Sequence, residues 1–248
     1  MRVVLLCAGY ATRMKEILKG KPKPLIEIDG SRTVLDYIVQ NIRVTSNIKN
    51  ISLVTNSPHY AYFVEWAKKG SHSDIAIVDD GTSSNEDRLG AVGDMALMIA
   101  DKSDDVMFIA TDNLFLTDFG DIEKEFHRNP RNLIKVKEFS REEPTLKNYG
   151  TVTLNRNMRV THMEEKALVP RSNMVAWGVY VIKKEDLHLL DDYLLNGGNP
   201  DNSGNIIPYL IEHSDVYAVE VAPEIIDVGT PILYEQALEM VNKYPFWK

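Results

Sequence analysis

Cysteine is nearly absent from this chain. The 248 residues contain one, Cys7, so no internal disulfide and no Cys-rich metal centre can form. Cys7 falls in the first apolar run and reads as a small buried core residue rather than a nucleophile. The six histidines are scattered, with no HxxxH pair, which indicates neither a zinc site nor a His-based triad. No serine sits in a GxSxG elbow. No segment approaches the roughly twenty uninterrupted apolar residues that a membrane span needs. Met1-Arg2 runs into a short apolar stretch without a cleavage region, unlike a signal peptide. Positive charge is in deficit, with 28 Lys and Arg against 36 Asp and Glu and a net charge of −8. A general nucleic-acid binder would need a basic face. A few local cations can still dominate one pocket for a small anion. The expectation is a cytoplasmic protein with no membrane and no nucleic-acid partner.

What is present reads as one large α/β domain. Apolar residues make up 44% and charged residues 26%, ordinary for a globular chain long enough to bury a sizeable core. VVLL at 3–6 is short, continuous and β-branched, as expected of a strand buried on both faces. A helical stretch at 34–42, ISLV at 51–54, a helix at 59–69, IAIV at 75–78, a helix at 90–100 and VMFIA at 106–110 then alternate. Such alternation implies βαβ crossovers and a Rossmann-like, mainly parallel sheet flanked by helices. Phe63 and Trp66 have helical spacing and read as core. Beyond residue 130 the rhythm changes to four β-like segments, LIKVKEF, YGTVTL, MRVTHME and MVAWGVYVI, which predict an antiparallel portion. Helix, strand and helix close the sequence. The most open loops are 147–150 and 196–205. There is no internal repeat.

One stretch concentrates the scarce positive charge. LLCAGYATRMKEILKGKPKPL, residues 5–25, holds four lysines and an arginine directly after the first strand. In open parallel sheets ligands sit at the carboxyl ends of the strands. Ala8, Gly9 and Ala11 are small enough to let the backbone approach a ligand and present amide N–H groups to phosphate oxygens. Arg13 suits a bidentate clamp on a diphosphate, and Lys23, fixed between Pro22 and Pro24, suits a point charge. Neither GxxxxGK[ST] nor GxGxxG is present, and on charge alone a solvated basic loop is the better reading. Two aspartates invite a similar comparison. Asp112 follows the strand at 106–110, and Asp227 follows a short apolar run in EIIDVGTP. A lone aspartate there is usually an Asx-turn or helix cap. Two at strand ends can instead converge on one Mg²⁺, which favours a few carboxylates plus substrate phosphates.

LCAGYATRM followed by PKPLIEI resembles the signature of the sugar-1-phosphate nucleotidylyltransferases, roughly LAAGxGTRLxPxTxxxPKPLxPV. The resemblance extends to a GD(N)-like motif at Asp112 and a DxGTP motif at Asp227, and so runs over nearly the whole chain. It implies that Gly9, Ala11, Thr12, Arg13 and Lys23 hold a nucleoside triphosphate, with Lys23 near the α-phosphate and Mg²⁺ on Asp112 and Asp227. Tyr149-Gly150, Glu165-Lys166 and Gly178 match the family's sugar-phosphate contacts, Gly178 equally marking a bulge. RLGAVGDM resembles the family turn that opens a helix near the base, placing Gly90 and, more weakly, Asn85 there. The resemblance divides residues 1–248 into a nucleotide-binding part to about 130 and an acceptor-binding part beyond it. It implies a reaction of an NTP with a sugar 1-phosphate to give an NDP-sugar and pyrophosphate, and a family tendency toward homo-oligomers.

The departures are specific. Ala11 replaces the usual glycine, which is tolerable only with a negative φ. KEILKGK lacks Pro-x-Thr, Ala110-Thr111 precedes Asp112, and Ala167 replaces the proline after Lys166. The chain's end soon after DxGTP carries the expectation of no long C-terminal β-helical extension. Two rivals remain open. A phosphocholine cytidylyltransferase would need an aromatic or acidic cage, to which Trp177 and Tyr149 could contribute. A non-catalytic nucleotide-sugar sensor predicts damage at the phosphate loop or the aspartates, whereas Arg13, Lys23, Asp112 and Asp227 are all present.

Overall fold

The structure is a computed structural model that describes residues 1–11, 14–45, 48, 50–220 and 225–243. The chain forms two compact units. One comprises Val3–Arg88, Ala110–Gly120 and Glu224–Lys248, the other Met1–Arg2, Leu89–Ile109 and Asp121–Pro223. Element labels follow chain order.

In the first of these units β1 (Arg2–Leu6), β2 (Ile51–Thr55) and β3 (Ala76–Asp79) pair in parallel, with Leu5 opposite Leu53 and Leu53 opposite Ile77. Val3, Val4 and Leu5 have no exposed surface, which explains why β1 reads as an unbroken apolar run. Helices α1 (Lys15–Leu18), α2 (Val34–Thr45) and α3 (Ser57–Lys69) connect the strands. α3 begins two residues before the apolar pattern. The Asn56 side chain accepts the His59 N–H at 3.1 Å, and Pro58 fits the first turn. Its Phe63, Trp66 and Ala67 are buried, in keeping with their reading as core.

The same unit contains a ribbon that the apolar pattern does not show. β5 (Asn113–Phe115) pairs antiparallel with β11 (Ile225–Asp227), setting Asp227 opposite Asn113 and Ile226 opposite Leu114. Buried Asn41 of α2 donates from Nδ2 to the Phe115 carbonyl at 2.7 Å. α8 (Pro231–Lys243) follows β11, with Thr230 Oγ1 accepting the Leu233 N–H at 3.3 Å. The ribbon therefore joins two segments more than a hundred residues apart.

In the other unit β9 (Met174–Ile182) runs antiparallel to β4 (Val106–Ala110) and β6 (Asn132–Glu138), and β6 is parallel to β10 (Val216–Glu220). β7 (Gly150–Leu154) and β8 (Val160–Glu165) form a hairpin that meets β9 where Thr151 opposes Val175. These are the antiparallel segments expected beyond residue 130. The unit also holds α4 (Ala91–Leu97), α5 (Gly120–Arg128), α6 (His188–Leu195) and α7 (Ile206–His213). α4 is shorter than the 90–100 pattern predicts. The fold class is the expected one: mixed α/β, with mainly parallel sheet flanked by helices and an antiparallel addition. No described helix is long and apolar enough to cross a membrane.

Candidate active site

The loop after β1 is built to expose backbone. The Cys7 N–H continues the ladder to the Val54 carbonyl at 2.9 Å, and buried Asn56 donates to the Ala8 carbonyl at 2.8 Å. The Tyr10 hydroxyl lies 3.0 Å from Thr82 Oγ1. With its sides tied down, the loop leaves Gly9 exposed, and a Cβ built there would meet no atom of the described residues within 4 Å. Among the described residues nothing requires glycine at that position. Ala11 departs from expectation. Its φ is +44°, so the negative angle that would make alanine strain-free is not found, and the backbone takes the turn that glycine would make without penalty. Thr12 and Arg13 lie outside the described residues.

Lys23, Asp112 and Asp227 come together. Lys23 opens a short 3₁₀ turn, Lys23–Leu25, behind Pro22, whose φ of −66° and ψ of 142° are extended. Its ammonium donates to Asp112 Oδ2 at 3.5 Å and lies 3.9 Å from Asp227 Oδ1. Only 12% of the Lys23 side chain is exposed, against 55% for Asp112 and 22% for Asp227. The ribbon explains the convergence. Asp227 ends β11 opposite Asn113, and the Val228 N–H donates to the Asp112 carbonyl at 3.1 Å.

The turn roles of both aspartates are also realised. Asp227 Oδ1 accepts the Gly229 N–H at 2.5 Å, and a Cβ on Gly229 would sit 2.6 Å from that oxygen. Asn113 Nδ2 donates to Asp112 Oδ1 at 3.0 Å. The backbone before Asp112 is fixed as well. Thr111 Oγ1 donates to the Leu6 carbonyl at 2.7 Å, leaving the Cys7 thiol to donate to Thr111 across 3.3 Å.

The donor set fits a magnesium ion. Two carboxylates already share one cation, the Lys23 ammonium. Among the described residues no group of three or more His, Cys, Asp or Glu side chains could hold a metal. Two carboxylates with phosphate and water oxygens completing the shell is the arrangement Mg²⁺ favours.

Two residues expected near the base fall in different units. Asn85 lies in the loop 83–88, which Asp87 organises by accepting from the backbone and hydroxyls of Ser83 and Ser84. The Ser83 N–H above all holds the Asp87 carboxyl down to about 2. Gly90, at φ +79°, precedes α4, and its missing Cβ would lie 2.6 Å from the Pro200 carbonyl oxygen. The Ala91 and Val92 N–H groups donate to the Asp201 and Pro200 carbonyls at 3.3 and 2.9 Å.

The acceptor candidates lie in the unit with β7, β8 and β9. Gly150 and Glu165 are paired across the hairpin. The Glu165 carboxylate is wedged between two glycines: Oε2 lies 2.6 Å from where a Cβ of Gly150 would be and 2.8 Å from that of Gly204. Burial pushes the Glu165 carboxyl above the usual range, with the Lys166 ammonium beside it acting in the opposite sense. The Lys166 N–H donates to the Tyr149 carbonyl at 3.1 Å. Gly178, at φ +65°, lies in an irregularity of the β6–β9 pairing, where Ile134 to Val136 span the same distance as Tyr180 to Ala176. The bulge reading of this glycine is thus observed.

The Tyr149 ring belongs to an aromatic cluster. Phe139, Tyr149 and Trp177 lie with centroids 5.8 to 6.0 Å apart. The Lys137 ammonium stands 5.5 Å from the Phe139 centroid and 5.9 Å from that of Trp177. Gly204 is a neighbour of Glu165 that the open-loop reading of 196–205 passed over. Its signal was the glycine in SGN, and its partner is distant in sequence.

The nucleotidyl transferase family model matches residues 2–243, and the chain belongs to that family. It is 25% identical over 231 residues to the "Bifunctional protein GlmU" of Methanocaldococcus jannaschii, covering 93% of this chain and 52% of that protein. The chain thus spans about half the length of this curated relative. A solved structure described as a putative glucose-1-phosphate thymidylyltransferase from Bacillus anthracis superposes with a TM-score of 0.79 at 16% identity, over 97% of this chain and 94% of that one. Apo UDP-glucose pyrophosphorylase superposes with a TM-score of 0.80 at 14% identity over 99% of each chain. These two structures share the fold.

Proposed function

We propose that this protein transfers a nucleotidyl group from an NTP to a sugar 1-phosphate with Mg²⁺, giving an NDP-sugar and pyrophosphate. The observation that carries the reading is the Lys23 ammonium held between Asp112 and Asp227. An acceptor phosphate oxygen attacks the α-phosphorus; a new P–O bond forms as the bond to the β-phosphate oxygen breaks, and pyrophosphate leaves with the electron pair. The nucleophile is already anionic, so no general base is needed, and catalysis reduces to alignment and charge neutralisation. The backbone at Ala8, Gly9 and Ala11, of which Gly9 is exposed, presents N–H groups to the triphosphate, and Arg13 holds the departing pyrophosphate. Lys23 neutralises charge growing at the α-phosphate. Asp112 and Asp227 would hold Mg²⁺, which when bound would neutralise phosphate charge and polarise the α-phosphate. Lys166 takes the acceptor phosphate, while Glu165 accepts hydrogen bonds from sugar hydroxyls.

The phosphocholine alternative is disfavoured by the aromatic trio. Phe139 and Trp177 stack on each other at 20° instead of enclosing a space, and Lys137 already stands over both. A quaternary ammonium there would meet like charge. A pyrophosphate-release screen of the four common NTPs against several sugar 1-phosphates and phosphocholine tests the reading. Turnover with a sugar 1-phosphate is expected. Release only with phosphocholine, or with no acceptor at all, contradicts it.

A further inference from the structure

Lys166, just past the end of β8, is held in place by a distant segment. Its φ of +51° lies in the left-handed region, and its ammonium, on a side chain 46% exposed, donates to Asn202 Oδ1 at 2.5 Å and stands 3.5 Å from Glu165 Oε1. Asn202 opens the 3₁₀ turn Ser203–Asn205. The next two residues of that turn serve the same neighbourhood. Ser203 Oγ donates to the Tyr180 hydroxyl at 3.4 Å, and the bare Gly204 leaves room for the Glu165 carboxylate. A half-exposed lysine with four rotatable bonds otherwise samples many positions. The amide oxygen fixes its direction and, being neutral, adds no negative charge beyond that of the Glu165 carboxylate beside it. An aspartate in its place would hold the ammonium as tightly and set a second carboxylate on it, leaving less charge for an incoming anion.

We infer that Asn202 is a positioning residue for the acceptor phosphate, aiming Lys166 at it through a neutral hydrogen bond. The inference rests on the acceptor reading above and deepens it. Asn202→Ala, Asn202→Ser and Asn202→Asp are compared with the wild-type chain. Asn202→Ala is expected to raise KM for the sugar 1-phosphate about tenfold, leaving kcat and the KM for the NTP within about twofold. Asn202→Asp should raise the acceptor KM further, and Asn202→Ser less. A purely structural residue would instead lower Tm and raise both KM values together in all three variants, and that pattern overturns the inference. So does an unchanged acceptor KM, which leaves the reaction class standing. If the wild-type chain turns over no sugar 1-phosphate, the reaction class falls. Calorimetric binding of inorganic phosphate then decides the inference: weaker binding to Asn202→Ala and Asn202→Asp supports it, and equal affinities overturn it.

Discussion

Replacing Asp112 by Asn should abolish most turnover while barely touching the fold, and the structure gives both magnitudes. Asp112 is 3.5 Å from the Lys23 ammonium, and more than half of its side chain is exposed. Lys23 is mostly buried, but water reaches Asp112, so the pair stays near the exposed limit of about 0–1 kcal/mol after side-chain ordering and salt screening. Lys23 would also keep Asp227 at 3.9 Å. The stability loss should therefore stay below about 1 kcal/mol, a Tm shift of no more than roughly 2–4 °C for a chain of this size. The catalytic loss should be far larger. Removing one of the two carboxylates proposed to share the metal should lower kcat by about a thousandfold, roughly 4 kcal/mol of transition-state stabilisation. Pyrophosphate release with Mg²⁺, beside a thermal melt of the same preparation, reads both. A variant retaining more than about a tenth of wild-type turnover refutes the reasoning, as does one whose Tm falls by more than about 10 °C.

Three further substitutions follow from local geometry. Gly9→Ala places a Cβ where no atom of the described residues lies within 4 Å, so Tm should hold while calorimetry shows NTP affinity reduced about tenfold, about 1.4 kcal/mol. Ala11→Gly should stabilise the chain by roughly 0.5–1 kcal/mol, because relief of the +44° φ outweighs the added freedom of glycine when unfolded; a melt showing no gain contradicts this. Glu165 is raised by burial, so its folded form favours the proton, and the stability tied to that neutral form is full below the ordinary value of 4.5 and lost as pH rises through the folded one. Glu165→Gln should therefore raise Tm at about pH 7, with the gain vanishing below about pH 4; a gain independent of pH would show that burial of the charge is not its source.

The parts of this protein legible from sequence are those with local causes. β1 announces itself because Val3, Val4 and Leu5 are buried on both faces, and α3 because Asn56 and Pro58 mark its start beside buried Phe63 and Trp66. The β5–β11 ribbon was invisible because each strand is three residues long, too short for any period to show, and its pairing spans over a hundred residues. That ribbon nevertheless sets Asp112 beside Asp227, so the sequence offered two aspartates as candidates without the device that unites them. Ala11 shows the converse. The motif marked the position as unusual, but only backbone geometry supplied the sign of φ. Asn202 and Gly204 read as open loop because their partners, Lys166 and Glu165, lie nearly forty residues away.

The central claim is that Asp112 and Asp227 act on one metal ion carried by the triphosphate. It is tested most directly by electron paramagnetic resonance titration of Mn²⁺ into the chain with a non-hydrolysable NTP. Asp112→Asn and Asp227→Asn should each weaken the bound ion at least tenfold, with the double variant little worse than the weaker single. Wild-type affinity in both singles, or losses that multiply in the double as for independent sites, would contradict the account.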